Sequence, residues 1–305
     1  MSISFSTGDY SLTAVLHLKT FLDYKCDNSI YGSFSGEGCY LMEVNLVLGP
    51  NLKASRRDTE ALFRKHKIGL SKHGYYCTVI IGGDGTFLDS AIACKDKPIL
   101  FIRKHAENIN GASIEHGITA SISFNELDSA LTKLKRGEFK IVDELILELR
   151  YGGKSYYSAG DFFLERGPVK QAVRYHVKVS CDKGIFETYG ISNGFVVTTP
   201  IGSTGYYAYV DIINRRQPHR IADGLGFAHI LPTKVADTLN GKKEQYAIRR
   251  TFGPEAVIDV KLTRGIKQYL YGLDGVKDGM PIKEGTKLRF RTSKKKLMIL
   301  KPNME

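Results

Sequence analysis

The stretch at residues 79–91, VIIGGDGTFLDSA, constrains the fold more than any other part of the chain. Its β-branched run predicts a buried strand, and the residues after the glycines are typical of a helix. Gly82, Gly83 and Gly85 let the backbone adopt positive φ angles and approach a ligand, and a helix start offers N–H groups to an anion. The pattern predicts a phosphate-binding turn. The alternative is a strand-to-helix turn with three convenient glycines.

Asp84 stands in the middle of this turn. A carboxylate next to a bound phosphate is unfavourable, because two negative charges would lie close together. We therefore expect Asp84 to accept a proton from a hydroxyl group or to hold a metal ion, rather than to bind the phosphate itself. This makes Asp84 the candidate catalytic residue.

A second segment, GFVVTTPIGSTGYYAY at residues 194–209, also places a short apolar strand before a loop of small and hydroxyl residues. Groups suited to a nucleotide are the hydroxyls of Thr199, Ser203 and Thr204, the amides of Gly202 and Gly205, and the ring of Tyr206. Two such loops predict one shared site. The alternative is a polar turn whose hydroxyls bind their own backbone.

The two motifs, GGDGT and TPIGSTGY, together resemble the NAD kinase family, whose members pair GGDGT with a TPTGSTAY-type loop. SAGDFFLERG at residues 158–167 is similar to the family's Asn-Glu/Asp segment, and LDG at residues 273–275 is similar to its late Asp-Gly turn. The resemblance covers residues 76–95 and 137–302 and is that of a divergent, archaeal-type member. It implies phosphorylation of the adenosine-ribose 2′-hydroxyl of NAD to give NADP.

The resemblance also implies cofactors and roles for individual residues. ATP or polyphosphate would be the donor, with Mg²⁺ or another divalent cation held mainly by donor oxygens and no protein metal ligand. Asp84 would be the catalytic base, and Gly82, Gly83, Gly85 and Thr86 would bind the donor phosphates. The implied NAD-binding residues are Asp84, Gly85, Phe87, Gly160, Asp161, Asn193, Thr199, Ser203, Thr204, Gly205 and Tyr206.

Four positions depart from the family pattern. Gly160 stands where an asparagine is usual, Asn193 where an aspartate is usual, Val276 where glutamine often occurs, and Gly205 where alanine is usual. All four lie where the nucleotide is expected to bind. They leave open a related GGDGT kinase that phosphorylates another hydroxyl acceptor, such as a lipid or a sugar phosphate. They also leave open a dinucleotide-binding sensor without catalysis.

The family architecture implies an α/β plus β fold. Residues 1–137 would form a Rossmann-like α/β domain and residues 138–305 a β-rich, sandwich-like NAD-binding domain, with the active site between them and the last residues packing back on the first domain. Periodicity independently predicts strands at 43–49, 76–81 and 97–102 and helices at 56–66 and 126–136, with 89–95 continuing the helix that follows the glycine turn. Beyond residue 137 it predicts strands at 139–150, 174–180, 194–199, 256–262 and 287–291.

The chain carries 44 basic and 32 acidic residues, a net charge of +12. No recognition helix or base-stacking motif accompanies this excess, so we expect no nucleic-acid partner. No stretch approaches the roughly 18 apolar residues of a membrane helix, and the start lacks a secretory pattern, which together predict a cytoplasmic protein without membrane contact. The family resemblance implies a homodimer or homotetramer.

The five cysteines are Cys26, Cys39, Cys77, Cys94 and Cys181. Their number is odd and they lack Cys-x-x-Cys spacing, which argues against a disulfide framework and against a zinc site. We therefore expect reduced thiols. The eight histidines show no metal-ligand spacing either.

Overall fold

The computed structural model describes residues 42–50, 52, 56–104, 122–167, 171–214, 216, 220–264, 268–272 and 279–303. Its first part contains β1 (Met42–Leu48), α1 (Arg56–Lys65), β2 (Ile68–Leu70), β3 (Cys77–Gly82), α2 (Asp84–Ala91), β4 (Ile99–Arg103), β5 (Ile122–Ser123) and α3 (Leu127–Lys135). The strands are parallel in the order β2-β1-β3-β4, and β5 pairs with β4. The predicted α/β character of this part is confirmed.

Strand β3 is buried along its whole length. It lies between β1 and β4, so its two edges are paired, and helices cover its two faces. Val79 and Ile81 belong to the core cluster that includes Leu131 of α3, whereas Ile80 packs in the cluster that includes Phe87 of α2. A strand covered on both faces needs a continuous apolar run, which is what this sequence supplies.

Helix α2 differs from its prediction at its end, because it runs from Asp84 to Ala91 and does not continue to residue 95. Phe87 and Ala91 are four residues apart and are both buried, so they form the apolar face that holds the helix on the sheet. After Ala91 the chain makes turns, with the Cys94 amide donating to the Ala91 carbonyl. The motif GGDGT therefore spans the end of β3, the N-cap and the first turn of α2, with Asp84, Gly85 and Thr86 inside the helix.

The second part is rich in strands and contains one short helix. It comprises β6 (Phe139–Tyr151), β7 (Lys154–Ser158), β8 (Asp161–Arg166), β9 (Val173–Cys181), β10 (Gly184–Ser192), β11 (Gly194–Thr198), α4 (Tyr209–Ile213), β12 (Leu225–Ile230), β13 (Lys234–Leu239), β14 (Lys242–Glu244), β15 (Arg249–Phe252), β16 (Val257–Arg264), β17 (Gln268–Tyr271), β18 (Met280–Ile282) and β19 (Lys287–Pro302). One sheet continues as β14-β13-β10-β9-β16-β19 and the other runs β15-β12-β11-β8-β17-β18.

The main apolar core contains side chains from both of these sheets. Phe162 and Phe195 of the second sheet meet Phe290 of the first, and Phe195 also packs edge-on against Tyr175. The alternation of buried and exposed residues along β9 and β16 is that of strands with one covered face. The predicted β-rich, sandwich-like part is confirmed.

Strand β19 is much longer than the predicted 287–291. It pairs with β16 near its start, with β6 along most of its length, and in parallel with β4 at Ile299 and Ile99. A register irregularity between Thr292 and Lys296 accommodates the lysine run, after which buried residues resume. The last strand thus returns to the parallel sheet. The domain division at residues 137/138 stays a prediction.

Within the described ranges, no helix is both long and apolar enough to span a membrane. Cys77, Cys94 and Cys181 are free thiols there, and Cys26 and Cys39 lie outside those ranges. Burial raises the pKa of Cys77 to about 12, so this thiol stays protonated and acts as a packing residue.

Candidate active site

The turn after β3 is built around the side chain of Thr86. A Cβ on Gly82 would lie 2.6 Å from Thr86 Oγ1, and one on Gly49 would lie 2.8 Å from the same atom. Both distances are too short for a real contact, so only glycine fits at either position. The Thr86 side chain therefore packs inside the turn, against the backbones of Gly82 and Gly49.

The glycines of this turn do not have the positive φ angles that the sequence suggested. Gly82, Gly83 and Gly85 are absent from the positive-φ residues, and Gly83 is extended at φ −90° and ψ −178°. Gly82 is needed because Thr86 is close to it. Gly83 and Gly85 are exposed, and among the described residues outside their own turn no heavy atom lies within 4 Å of where their Cβ atoms would be. Handedness therefore does not account for these two glycines.

The first turn of α2 has no side-chain cap on its amides. Gly83 is the N-cap residue, and its carbonyl accepts a hydrogen bond from the Phe87 amide at 3.2 Å. The N–H groups of the first turn have no acceptor within a helix, and they carry the positive end of its dipole. This turn therefore offers backbone donors to an anion beside Gly83 and Gly85.

Asp84 is the first residue of α2, and its side chain is 32% exposed. Its Oδ1 accepts a hydrogen bond from Arg103 Nη2 at 2.5 Å, and the Arg103 side chain is 26% exposed. Both partners of this ion pair therefore reach the surface of the turn. The carboxylate of Asp84 is therefore not turned into the protein interior. A catalytic role requires such an accessible position.

Arg103 was missed by the sequence analysis. It is the last residue of β4, and it pairs in register with Gly82. The carboxyl ends of neighbouring parallel strands form the usual ligand-binding edge of an open α/β sheet, and that rule could have identified it.

The hydroxyls of the second loop are largely used inside the protein. Thr199 Oγ1 donates to the Ala159 carbonyl at 2.7 Å, and Ser203 Oγ donates to the Pro200 carbonyl at 2.7 Å. Thr199 and Ser203 are fully buried. For these two residues the structure agrees with the alternative that their hydroxyls bind backbone, and they hold the loop in place.

Gly160 and Gly202 bring the two loops together. A Cβ on Gly202 would lie 2.6 Å from the Gly160 carbonyl carbon, and one on Gly160 would lie 2.8 Å from Leu88 Cδ2. Leu88 is one helical turn after Asp84, so α2, the turn before β8 and the second loop are in direct contact. A side chain at position 160 would require Leu88 to shift.

The exposed part of the second loop is Thr204, Gly205 and Tyr206. The Tyr206 ring lies 4.7 Å from the Phe163 ring, which in turn stacks on Tyr271 at 4.9 Å. Tyr206 is 41% exposed, so one part of its ring is available to a planar group. Burial, followed by a hydrogen bond to Glu165, raises the pKa of Tyr206.

Asp161 lies beside this exposed part. Its Oδ2 would be 3.6 Å from a Cβ on Gly205, an ordinary contact distance. Burial raises the pKa of the Asp161 carboxyl to about 7, because the surrounding protein disfavours its charged form. Near neutral pH the group can therefore act as either donor or acceptor of a hydrogen bond.

A cavity of about 180 Å³ lies between α2 and the second loop. Phe87, Phe101, Pro200, Ile201 and Thr204 form part of its wall. Phe87 is almost fully buried and packs on Phe101 at 4.8 Å. Phe87 and Thr204, both predicted to bind NAD, thus line the same space.

Asn193 is not brought to the two loops. It precedes Gly194, the first residue of β11, whereas Thr199 follows the last one. Six residues of extended chain separate them by about 20 Å, at roughly 3.3 Å per residue. The backbone of Asn193 continues the sheet, accepting from the Arg166 amide and donating to the Ile230 carbonyl.

Two further sequence features cannot be placed. The Asp-Gly turn at 273–275 and Val276 lie outside the described residues. Within the part of the chain that the structure covers, no three His, Cys, Asp or Glu side chains are grouped to hold a metal ion.

No family model matches the chain. The NAD kinase of Clostridium beijerinckii is 32% identical over 135 residues, which are 42% of this chain and 43% of that protein. The NAD kinase of Clostridium perfringens is 30% identical over 134 residues, or 42% and 44% of the two chains. The matches span less than half the length of these curated relatives.

Two solved structures share the fold over most of the chain. Yeast NADH kinase complexed with NADH superposes with a TM-score of 0.61 and 15% identity, over 86% of this chain and 84% of that one. An NAD kinase from Archaeoglobus fulgidus in complex with ATP gives a TM-score of 0.58 and 16% identity, over 86% and 94%. In sequence over part of its length, and in fold over most of it, the chain is similar to the NAD kinase family.

Proposed function

We propose that the chain phosphorylates the adenosine-ribose 2′-hydroxyl of NAD to give NADP, with ATP as donor. The observation that carries the proposal is the position of Asp84, a partly exposed carboxylate beside the exposed backbone of Gly83 and Gly85. The similarity to proteins named NAD kinase supports it, as do fold relatives solved with NADH and with ATP.

In this mechanism the donor phosphates lie at the first turn of α2, where the uncapped amides and the helix dipole favour negative charge. Gly83 and Gly85 leave room for the phosphates, and Gly82 and Thr86 keep the turn in shape. Asp84 accepts the proton of the ribose hydroxyl as its oxygen attacks the terminal phosphorus, and the bond to the leaving ADP oxygen breaks. Positioning and neutralisation of charge account for most of the rate of such a transfer.

The acceptor lies against the exposed part of the second loop. We assign the Tyr206 ring to stacking and Thr204, Gly205 and Asp161 to polar contacts, because they lie together at the surface. Phe87 lines the neighbouring cavity, Gly160 gives Gly202 room to pack, and Thr199 and Ser203 support the loop from within. Asn193, at the far end of β11, is outside this group.

Mg²⁺ fits this site as a companion of the donor rather than as a resident ion. The described residues hold no cluster of three protein ligands, and Mg²⁺ is commonly bound by phosphates and water with one or two carboxylates. When bound, the ion neutralises the charge of the donor oxygens.

The remaining parts of the proposal rest on the resemblance. The chain acts in the cytoplasm as a homodimer or homotetramer, with residues 1–137 and 138–305 as its two domains. Polyphosphate is an alternative donor for the same phosphate site.

The proposal is tested by incubating the full chain with ATP and Mg²⁺ and, in turn, NAD, NADH, a sugar phosphate or diacylglycerol. Phosphorylated product is measured by mass spectrometry. We expect NADP from NAD. If only the sugar phosphate or the lipid is phosphorylated, that compound is the acceptor and NAD is not. NAD binding without any product would show a sensor instead of a kinase.

A further inference from the structure

The candidate base is already held by a cation. Arg103 Nη2 donates to Asp84 Oδ1 at 2.5 Å, and both side chains are partly exposed at the end of the parallel sheet. This hydrogen bond occupies Oδ1 of Asp84, one of the two oxygens that could receive the ribose hydroxyl in the proposed reaction. The contact therefore opposes the role that Asp84 has in the proposed reaction.

The position of Arg103 allows its guanidinium to bind a phosphate at the same turn instead of Asp84. Its backbone is in register with Gly82, so its side chain starts beside the turn that carries Gly83 and Gly85. A guanidinium has five N–H donors in a fixed fork, and the hydrogen bond to Asp84 Oδ1 uses one of them. Phosphate oxygens accept such a fork in pairs, which makes an arginine well suited to a terminal phosphate.

A terminal phosphate at this turn would compete with Asp84 for the same guanidinium. The donor carries several negative charges, whereas Asp84 carries one, and both face the positive end of α2. If the Arg103 guanidinium moves from the Asp84 carboxylate to the terminal phosphate, it has a negatively charged partner both before and after the move. It also leaves Asp84 without this partner only when the donor is in place.

We propose that Arg103 is a donor-binding residue that leaves Asp84 for the terminal phosphate of ATP, so that its hydrogen bond to Asp84 Oδ1 is broken only in the loaded site. This inference rests on the proposed function, since it assumes that the donor lies at the first turn of α2. It adds a residue that discriminates between donor and product, because ADP lacks the phosphate that Arg103 binds.

Binding of ATP and of ADP to the full chain tests this inference without any turnover. Calorimetry is carried out on the wild type and on Arg103→Gln, with Lys104→Gln as the control that removes the neighbouring charge. We expect Arg103→Gln to weaken ATP binding about 10- to 100-fold, the range for a hydrogen bond to a charged group, and to leave ADP binding nearly unchanged. Lys104→Gln should affect ATP and ADP alike.

Equal weakening of ATP and ADP in Arg103→Gln would overturn the inference, because Arg103 would then act on the turn and not on the terminal phosphate. If Arg103→Gln does not fold, Arg103→Lys serves instead, and it should lose ATP preference in part because it keeps the charge without the fork. Absence of NADP from the wild type would contradict the proposed function, while the ATP-to-ADP ratio would still decide the role of Arg103.

A structure with a non-hydrolysable ATP analogue gives a direct second test. The inference requires the Arg103 guanidinium within hydrogen-bond distance of the terminal phosphate and away from Asp84 Oδ1. An Arg103 that stays on Asp84 in that complex would contradict it.

Discussion

The turn after β3 and the loop after β11 both combine glycine with polar residues, yet they use them in opposite ways. In the first, Gly83 and Gly85 face open space and Asp84 is partly exposed. In the second, Gly202 is pressed against Gly160, and the hydroxyl of Thr199 is buried on a carbonyl oxygen. One loop presents its polar groups to a ligand, and the other uses most of them to hold its own shape.

This difference suggests that the turn after β3 contributes to the reaction and that the loop after β11 mainly maintains the structure. A glycine with nothing near its missing side chain is a candidate for ligand approach, whereas one in contact with backbone is a packing requirement. Substitutions in the first loop should therefore change activity more than stability. Those at the buried positions of the second loop should do the reverse.

The largest expected effect is that of Asp84→Asn. Loss of a general base lowers turnover about 10²- to 10⁴-fold, because the hydroxyl proton then has no acceptor in place. NAD binding should change little, since the amide has the same shape as the carboxyl group. NADP formation in a coupled assay measures the first effect, and calorimetry the second.

Asp89→Asn is the matched control, because Asp89 is exposed on the same helix. Its turnover should equal that of the wild type. Full turnover in Asp84→Asn would remove Asp84 from its role and with it the contrast between the two loops.

The next largest effects are expected for two glycine substitutions, one of which should change stability and the other activity. Gly202→Ala places a methyl group 2.6 Å from the Gly160 backbone. It should lower the free energy of unfolding by about 1–3 kcal/mol, the usual cost of overpacking. Gly85→Ala should keep or slightly raise stability, since alanine favours helix by about 0.5–1 kcal/mol, while it obstructs the ligand side of the turn.

Urea unfolding and steady-state kinetics on both variants decide this comparison. We expect Gly85→Ala to lose turnover at least about tenfold through a displaced donor. A Gly85→Ala variant with normal kinetics would mean that no ligand approaches this turn closely.

A smaller effect is expected for Thr199→Val, which keeps shape but removes a buried hydroxyl. The Ala159 carbonyl loses its donor at 2.7 Å, which should cost about 1–2 kcal/mol of stability. Thr204→Val is the control, because Thr204 is partly exposed and should affect the Michaelis constant for NAD instead. A raised Michaelis constant with unchanged stability in Thr199→Val would show that Thr199 contacts the ligand.

The smallest effect concerns pH and Asp161. Its pKa is raised from 3.8 to about 7 by burial, so the protonated form favours the folded state. The free energy of unfolding of the wild type should therefore fall as pH rises between about 4 and 7. In Asp161→Asn this contribution to the pH dependence should be absent. Melting temperatures across this range should diverge by a few degrees in favour of the variant. Parallel curves would show that Asp161 is not desolvated.

Local pattern was enough to predict β1, β3 and β4 of the parallel sheet and the β-rich second part, but not the short strands β2 and β5. The buried run of β3 is continuous because both faces are covered, and its ending at Gly82 follows from the glycines. The end of α2 was predicted too late, because Ile92 and Cys94 are buried in the turns that follow and extend the apolar pattern past Ala91. The length of β19 depends on pairing with distant strands, which no local pattern shows.

The candidate site residues were chosen from motifs, and the contacts among them depend on the fold. Asp84 and Tyr206 were proposed from their loops, and both reach the surface. Asn193 was grouped with these loops from motif order alone, which does not take into account that β11 lies between Asn193 and Thr199. Arg103 carries no motif, and only the pairing of β3 with β4 brings it to Asp84.

The most direct measurement is the fate of the terminal phosphate of ATP labelled at that position and mixed with the chain, Mg²⁺ and NAD. The account predicts that the label appears in NADP, on the 2′-oxygen of the adenosine ribose. Label found only in inorganic phosphate, or on another position of the dinucleotide, would contradict it.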